Sequence, residues 1–305
     1  MTSPNHAPQV RRLRRCGPVL LLVAAVAAIP SGPVAGEIPT GTPVNRILTI
    51  AHRGAHQSVP EDTLPAIEKA VELGFDYVEL DVRFTSDGVP VLMHDATVNR
   101  TTDGHGLVRD MTLAEIKRLD AAGAPEWRGS FRDLRVPTLE DALRVMKGRA
   151  SAYVNQKDPP RPVEIQLLRK YGFYPGHAVV AGRNEQVLAF RELAPKADLL
   201  LNIRDIDDIP TVLASVPRLK GFNTRASIVT RELVEAAHAE GVLVFTNALR
   251  ADDTASEMQR VIAAGVDAIQ TNQPDVLLRL LGEMDKEWRS GNAQEVGRLP
   301  GRQGQ

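Results

Sequence analysis

The chain has 305 residues, of which 43% are hydrophobic, 25% charged and 4% aromatic, a globular profile that excludes a disordered or collagen-like protein. Its formal net charge of −1 excludes a basic field that could wrap nucleic acid, so we expect no nucleic-acid partner. The length exceeds that of an average domain, but a single α/β barrel of about 250 residues would use most of it.

The first 36 residues have the pattern of a secretory signal peptide. Residues 1–15 contain four arginines and no acid, an apolar run extends from Pro18 to Ile29, and small residues precede Glu37. A run of about a dozen apolar residues is too short to span a bilayer, which needs about 20. We therefore predict a signal peptide over 1–36, export to the periplasm or the medium, and no stable membrane insertion after cleavage. An uncleaved anchor is the alternative.

Cleavage after Gly36 would change the chemistry of the mature chain. It removes four positive charges and no negative ones, which takes the formal charge from −1 to −5. It also removes Cys16, the only cysteine. The mature chain would then have no disulfide framework, no zinc–thiolate site and no cysteine nucleophile.

Short strand-like runs alternate with helical patterns through most of the chain. This alternation predicts a parallel sheet, and eight such runs fit a closed (β/α)₈ TIM barrel with its active site at the carboxyl ends of the strands. An open doubly wound sheet is the alternative, although no G-x-G-x-x-G turn follows the first run. We expect the barrel domain over 37–290 and a disordered tail over 291–305. The eight runs are Ile47–Ala51, Phe75–Asp81, Ala152–Lys157, Ala178–Gly182, Asp198–Ile203, Leu219–Asn223, Val242–Thr246 and Asp267–Thr271.

A hairpin and a long insert interrupt the alternation after the second run. Val89–His94 follows the turn signal Asp87-Gly88, and a two-residue turn there would place Asp81 directly opposite His94. The insert spans residues 95–137 and contains one predicted helix, Leu113–Leu119, which Thr112 would cap. We interpret the insert as a binding loop or lid above the barrel.

Ionisable residues that could bind or catalyse cluster where these strands end. Glu79 and Asp81 are two residues apart on a strand, so both carboxylates share one face and could bind Ca²⁺ or Mg²⁺. His52 and His94 suit acid–base work near neutral pH, and Arg53 suits forked recognition of phosphate oxygens. Each feature alone has a structural explanation, but together at successive strand ends they indicate a site for a phosphate ester.

Six short motifs contain these residues: His52-Arg53-Gly54, Pro60-Glu61-Asp62-Thr63, Glu79-Leu80-Asp81-Val82, Thr85-x-Asp87-Gly88, His94-Asp95 and Arg100-Thr101-Thr102. With these motifs the chain resembles the glycerophosphodiester phosphodiesterase family, over about residues 50–278. The resemblance implies a TIM barrel with one divalent metal, Ca²⁺ or Mg²⁺. It also implies hydrolysis of a glycerophosphodiester to glycerol 3-phosphate and an alcohol, either directly by water or through a cyclic phosphate.

The resemblance also implies roles for individual residues. His52 and His94 would form the acid–base pair, Arg53 would hold the phosphate, and Glu79 and Asp81 would bind the metal. Glu61, in the second motif, and Lys157 would contact substrate.

Several positions depart from the family pattern. Asn155 stands where the family's third carboxylate ligand is usual, so we expect a weaker metal site with a neutral amide oxygen. Asp62 replaces an asparagine and would either compensate for the lost charge or cap a helix. Phe245 would wall the substrate pocket or simply pack in the core. Arg183 would make a second phosphate contact or lie on the surface. Asn272 replaces the family's aspartate in the closing motif.

Two other functions remain open from the sequence alone. A lipid-directed relative, cleaving lysophospholipid or sphingolipid headgroups, would share the paired histidines and Glu-x-Asp, but it would favour an apolar loop at the barrel mouth. A catalytically inactive binding barrel is raised by Asn155, although binding alone would not need two histidines.

Overall fold

A computed structural model describes residues 46–131, 133–216 and 218–284. The predicted signal peptide over 1–36 and the predicted tail over 291–305 lie outside the described residues. Within the described ranges, no helix combines the length and apolar character that crossing a membrane requires.

Eight parallel strands close into a barrel, as the alternation predicts. β1 pairs with β2 on one side and with β9 on the other, which closes the sheet, and β3 pairs only with β2, antiparallel. The TIM barrel with a hairpin after its second strand is therefore confirmed. The strands are β1 (Leu48–Ala51), β2 (Tyr77–Phe84), β3 (Pro90–Leu92), β4 (Ser151–Gln156), β5 (Ala178–Gly182), β6 (Asp198–Asn202), β7 (Gly221–Arg225), β8 (Leu243–Ala248) and β9 (Ala268–Thr271).

Helices cover the outside of the barrel, and threonine caps set several of their starts. Thr138 and Thr112 each take part in a capping box, which satisfies backbone N–H groups in the first turn. The helices are α1 (Leu64–Glu72), α2 (Leu113–Ile116), α3 (Leu139–Met146), α4 (Pro162–Tyr171), α5 (Asn184–Leu193), α6 (Asp208–Ser215), α7 (Arg231–Ala239), α8 (Ala255–Ala264) and α9, which begins at residue 274 and reaches 284, the last described residue.

The hairpin register differs from the sequence prediction by one residue. Val82 lies opposite Leu92, and the Met93 N–H donates to the Asp81 carbonyl at 2.8 Å. Asp81 therefore faces Met93, and the prediction that it lies opposite His94 is wrong.

The reason lies in the loop, which has three residues instead of two. The Thr85 N–H donates to the Val89 carbonyl, and the Val89 N–H donates to the Thr85 hydroxyl. Of the two expected turn residues, only Gly88 adopts a left-handed φ, +82°, the conformation that ends a three-residue hairpin loop. His94 still reaches the barrel mouth, because the Arg83 guanidinium donates twice to its carbonyl.

Two apolar layers build the barrel. The larger lies between the strands and the surrounding helices, and the smaller fills the interior below the mouth. Strand side chains alternate between these layers, so inward positions nearer the carboxyl ends face the mouth. Phe245, on β8, is fully buried in the interior layer, where its ring packs edge-on to Tyr77.

Candidate active site

The loop after β1 places an arginine over the barrel mouth by a tight backbone turn. Arg53 has a left-handed φ of 52°, and Gly54 follows at +79°. A Cβ on Gly54 would lie 2.6 Å from the Ala66 carbonyl carbon, so only glycine fits against α1. The turn directs the Arg53 N–H onto Glu79 Oε2 at 2.8 Å and its Nε to within 3.2 Å of Asp81 Oδ2.

Glu79 and Asp81 are fully buried side by side on β2. Asn155 on β4 donates its amide N–H to Glu79 Oε1 at 2.8 Å. The Lys157 ammonium lies 2.9 Å from Asp81 Oδ1. The structure thus brings together Arg53, Glu79, Asp81, Asn155 and Lys157, as the sequence predicts.

Burial and mutual charge push the pKa values of these two carboxyls apart. Burial, reinforced by the charge of Asp81, raises the pKa of Glu79. Burial alone would also raise the pKa of Asp81, but the positive charges of Lys157 and Arg53 outweigh it and lower that pKa. At neutral pH the site therefore favours one ionised carboxylate, on Asp81.

Asp62 adds a third carboxyl to this group. It is buried, with a left-handed φ of 53°, and its Oδ1 accepts the Asp81 N–H at 3.4 Å. Its Oδ2 has no hydrogen-bond partner, and burial with the charges of Asp81 and Glu79 raises its pKa. Thr63, not Asp62, is the N-cap residue of α1. The capping alternative is wrong, and the carboxyl lies beside the pair on β2.

His52 is held by an amide and has a depressed pKa. Its Nδ1 lies 2.6 Å from Asn272 Oδ1, which also lies 2.8 Å from His56 Nε2. An amide oxygen accepts, so His52 donates through Nδ1 and its Nε2 keeps a lone pair. Burial and the nearby Arg53 charge lower the pKa of His52 to about 4, so the ring is neutral at pH 7.

His94 has the opposite kind of partner, a carboxylate. Its Nδ1 lies 2.7 Å from Asp95 Oδ1, and Arg100 donates to Asp95 Oδ2 at 2.7 Å. The Arg100 hydrogen bond outweighs other influences and lowers the pKa of Asp95. Asp95 is therefore ionised, and its carboxylate accepts the hydrogen bond from His94 Nδ1.

Glu61 braces the two arginines of the site. Its Oε1 accepts from Arg53 Nη1 at 2.8 Å and from Arg100 Nη2 at 2.7 Å. Both cations bond to the same oxygen, and Glu61 does not line the cavity that contains the histidines, so its position gives no support to the expected substrate contact.

A cavity of about 570 Å³ opens over this group. His52, His94, Arg53, Asn155 and Lys157 all line it. A second cavity of about 550 Å³ shares Asn155 and Lys157 with the first and has Arg183 at its edge. Phe245 lies below the mouth in the interior core, so the prediction that it walls the substrate pocket is wrong and core packing is correct.

Comparison with known proteins gives one consistent family. The model of the glycerophosphoryl diester phosphodiesterase family matches residues 52–171. A glycerophosphodiester phosphodiesterase from Caldanaerobacter subterraneus subsp. tengcongensis is 33% identical over 248 residues, covering 77% of this chain and 98% of that protein. The crystal structure of a glycerophosphodiester phosphodiesterase from Agrobacterium tumefaciens aligns with a TM-score of 0.68 and 28% identity, covering 76% of this chain and 98% of the other.

A further solved structure resembles the chain and contains a ligand. It is an Oleispira antarctica phosphodiesterase in complex with the product sn-glycerol-3-phosphate, with a TM-score of 0.68, 25% identity, and coverage of 77% of this chain and 96% of the other. The chain belongs to the glycerophosphoryl diester phosphodiesterase family. It is therefore an enzyme, a phosphoric diester hydrolase that acts on a small-molecule glycerophosphodiester.

Glycerophosphoryl diester phosphodiesterases are metal-dependent in general. Among the described residues, no three His, Cys, Asp or Glu side chains already converge as a metal cluster. The donor chemistry nevertheless fits a hard cation, because Asp62, Glu79 and Asp81 crowd three carboxyls into one buried volume and Asp62 Oδ2 is unpartnered. A divalent ion would offset the burial and the Asp81 charge that raise the pKa of Glu79.

A layer of amides on the opposite side of the mouth was not predicted from the sequence. We call Asn202, Asn223, Asn247 and Gln270 the amide layer; each lies at an inward position near the carboxyl end of its strand, from β6 to β9. All four line the second cavity. Period-two counting along the strands could have found three of them, because Asn202, Asn247 and Gln270 each lie two residues beyond an inward apolar residue, whereas Asn223 follows Gly221.

Proposed function

We propose that this phosphodiesterase uses one divalent metal, Ca²⁺ or Mg²⁺, and two histidines to hydrolyse glycerophosphodiesters to glycerol 3-phosphate and an alcohol. The observation that carries the proposal is the contrast between the histidines: His52 is hydrogen-bonded to an amide and kept neutral by burial beside Arg53, and His94 is hydrogen-bonded to a carboxylate. Environments that differ in this way identify a base and an acid.

His52 is the base in this proposal. With Nδ1 donating to Asn272, its Nε2 takes the proton of the attacking hydroxyl, which belongs to water or to the glycerol moiety. His94 is the acid: as the phosphorus–oxygen bond to the alcohol breaks, its Nε2 gives a proton to the leaving oxygen. The Asp95 carboxylate orients the His94 ring through Nδ1.

Arg53 and Lys157 bind the phosphate in this proposal. Both line the cavity next to the histidines, and both already contact Asp81, which holds them in place. Glu79, Asp81 and Asn155 would hold the metal, with Asp62 adding charge behind them. When bound, the ion would neutralise charge on the phosphate oxygens. Asn155 would then turn its amide oxygen, which a hard cation prefers, toward the ion.

Product analysis tests the proposed reaction. Incubation with glycerophosphodiesters of different alcohols should release glycerol 3-phosphate and free alcohol, as resolved by ³¹P NMR and an enzymatic assay for glycerol 3-phosphate. Release of glycerol and an alcohol phosphate would contradict the proposal. Cleavage of lysophospholipid with intact glycerophosphodiesters would support the lipid-directed alternative instead.

We further propose that the chain is exported and cleaved after Gly36. The arginines, the apolar run and the small residues before Glu37 support it. Expression with residues 1–36 present, followed by cell fractionation and mass determination, should find a mature form that begins at Glu37 outside the cytoplasm. Full-length protein in the cytoplasmic fraction would contradict it.

A further inference from the structure

The barrel mouth has two chemically different halves. The half formed by β1, β2 and β4 contains the histidines, Arg53, the carboxyls and Lys157. The half formed by β6 to β9 presents the neutral amide layer. The two cavities meet at residues that line both, Asn155, Lys157, Asn247 and Gln270. If the phosphate of a diester lies against Arg53, one of the two groups esterified to that phosphate would therefore extend over the amide layer.

Part of the amide layer is rigid before any ligand binds. The Tyr153 hydroxyl donates to Asn223 Oδ1 at 3.1 Å, and Asn223 Nδ2 donates to Asn202 Oδ1 at 2.7 Å. Asn202 Nδ2 donates in turn to the Gly182 carbonyl. This chain of hydrogen bonds fixes which groups face the cavity and lowers the ordering cost of binding.

The other two side chains of the amide layer have no hydrogen-bond partner among the described residues. Asn247 and Gln270 are direct cross-strand neighbours on β8 and β9. Gln270 is only 4% exposed, yet within the described residues neither side chain makes a hydrogen bond with another protein group. Neither residue has a polar atom among the buried, unpartnered atoms of the described residues, so both amides are accessible from the cavity. A ligand hydroxyl, which both donates and accepts, could hydrogen-bond to either amide.

The same cavity is poorly suited to an amine. Tyr153 is the only aromatic residue that lines it among those described, and it is 2% exposed, so no aromatic face is offered to a quaternary ammonium group. The lining carboxylate, Asp158, is already held by Arg83 at 2.8 Å and by the Phe84 N–H at 3.0 Å. Arg109 and Arg183 at the rim are mostly exposed cations that would repel a positive charge.

We propose that the amide layer binds the leaving alcohol of the diester and selects a hydroxyl-rich alcohol, such as glycerol or a cyclitol, over choline or ethanolamine. This inference rests on the proposed function, since it assigns the alcohol half of the same substrate. The cavity of about 550 Å³ lies within the range of about 300–1,000 Å³ common to small-molecule sites.

The test compares kcat/KM for four diesters: glycerophosphoglycerol, glycerophosphoinositol, glycerophosphocholine and glycerophosphoethanolamine. The wild type should prefer the two polyol substrates by about 10-fold or more. Asn247→Leu and Gln270→Met should lower kcat/KM for the polyol substrates by about 10- to 100-fold, because each removes hydrogen bonds to hydroxyls. Both variants should leave the choline and ethanolamine substrates within about threefold of wild type.

Gln57→Leu is the matched control, since it removes an exposed amide that lines neither cavity, and it should change no substrate. Preference for the choline substrate would overturn the inference. An equal loss for all four substrates would also overturn it, because the amides would then bind the shared glycerol moiety.

A binding measurement separates this inference from the proposed function. Ligand-observed NMR should detect weak binding of myo-inositol to the wild type and not to Asn247→Leu, with choline as the negative probe. If no diester is hydrolysed but this binding pattern holds, the proposed function fails and the polyol site stands. If myo-inositol binds neither protein, the polyol site is overturned, even when diesters are cleaved.

Discussion

At the scale of single residues, the contrast between the two histidines has direct kinetic consequences. Replacing either with alanine removes a proton donor or acceptor, a loss typically worth 10²- to 10⁴-fold in rate. We expect His52→Ala and His94→Ala each to lower kcat by at least 100-fold while far-UV circular dichroism stays unchanged. A folded variant that keeps more than about a tenth of wild-type kcat would exclude that histidine from catalysis.

Burial and Arg53 set where the pH profile begins to fall, because they lower the pKa of His52 to about 4. The hydrogen bond to the neutral Asn272 acts in the opposite direction without overcoming them. Asn272→Asp would place a carboxylate on Nδ1, stabilise the imidazolium and raise that pKa. Because the base must be neutral, the acidic limb of kcat/KM should move to higher pH by about one unit or more, with loss of activity near pH 5.

Gln273→Glu provides the control for this shift. It makes the same change of charge one residue away, on a side chain that bonds to Gln57 instead of His52. Its acidic limb should stay close to that of wild type. An unmoved limb in Asn272→Asp would show that Asn272 does not set the ionisation of the base.

The residues proposed to bind the metal allow a third test. The neutral Asn155 donates to Glu79, and charge count tunes the affinity of oxygen sites for Ca²⁺. Asn155→Glu should therefore bind Ca²⁺ more tightly in calorimetric titration, and Glu79→Gln should weaken binding. Equal or weaker affinity in Asn155→Glu would place Asn155 outside the coordination shell.

At the scale of elements, β4 and α4 share a buried pair that couples stability to pH. Gln156 on β4 donates its amide N–H to Glu164 Oε1 in the first turn of α4. Gln156 Oε1 and Glu164 Oε2 both lack partners. A proton on Glu164 Oε2 would let these two atoms bond, and burial raises the pKa of Glu164 to about 8.

The direction in which stability changes with pH follows from the number of protons that Glu164 binds in the folded and unfolded states. Between the unperturbed value of 4.5 and about 8, the folded state binds a proton that the unfolded state has lost, so the free energy of unfolding falls as pH rises. Glu164→Gln keeps the hydrogen bond and removes the titration. At pH 8 it should be more stable than wild type by up to about 4–5 kcal/mol, since the pKa is raised from 4.5 to about 8 and each pKa unit is worth about 1.4 kcal/mol. Urea unfolding of wild type and Glu164→Gln at pH 5 and pH 8 measures how the free energy of unfolding of each protein changes with pH. An equal change in the two proteins would contradict the assignment of this titration to Glu164.

The elements also show what sequence patterns can and cannot predict. The alternation of runs is sufficient for the barrel because each β/α unit has one favoured way to bury its apolar faces. The hairpin register is not predictable to the residue, since Asp87-Gly88 fits a two- or a three-residue loop. Hydrogen bonds of the Thr85 hydroxyl decide it here, and no local pattern shows them.

The residues of the site also differ in how well the sequence predicts their roles. Residues with strong chemistry, such as His52, Glu79 and Asp81, are visible in sequence because they interrupt apolar strands. Phe245 is ambiguous, because its place in the interior core depends on which of two faces it occupies. The partners that distinguish the two histidines, Asn272 and Asp95, act through contacts that depend on the folded loops.

At the scale of the whole molecule, the barrel separates a charged half from an amide half. The charged half contains three buried carboxyls, and burial together with their mutual charges opposes ionisation of Asp62 and Glu79 unless cations offset it. Arg53 and Lys157 supply part of the compensation. In this account a divalent ion supplies the remainder, so metal binding and activity must rise together.

The most direct test is therefore a metal titration of the chelator-treated, dialysed enzyme. Release of glycerol 3-phosphate is followed while Ca²⁺ or Mg²⁺ is added, and bound metal is measured in the same samples. We predict little activity in the stripped protein and full recovery as one ion binds per chain. Full turnover by protein shown to contain no bound metal would contradict the account.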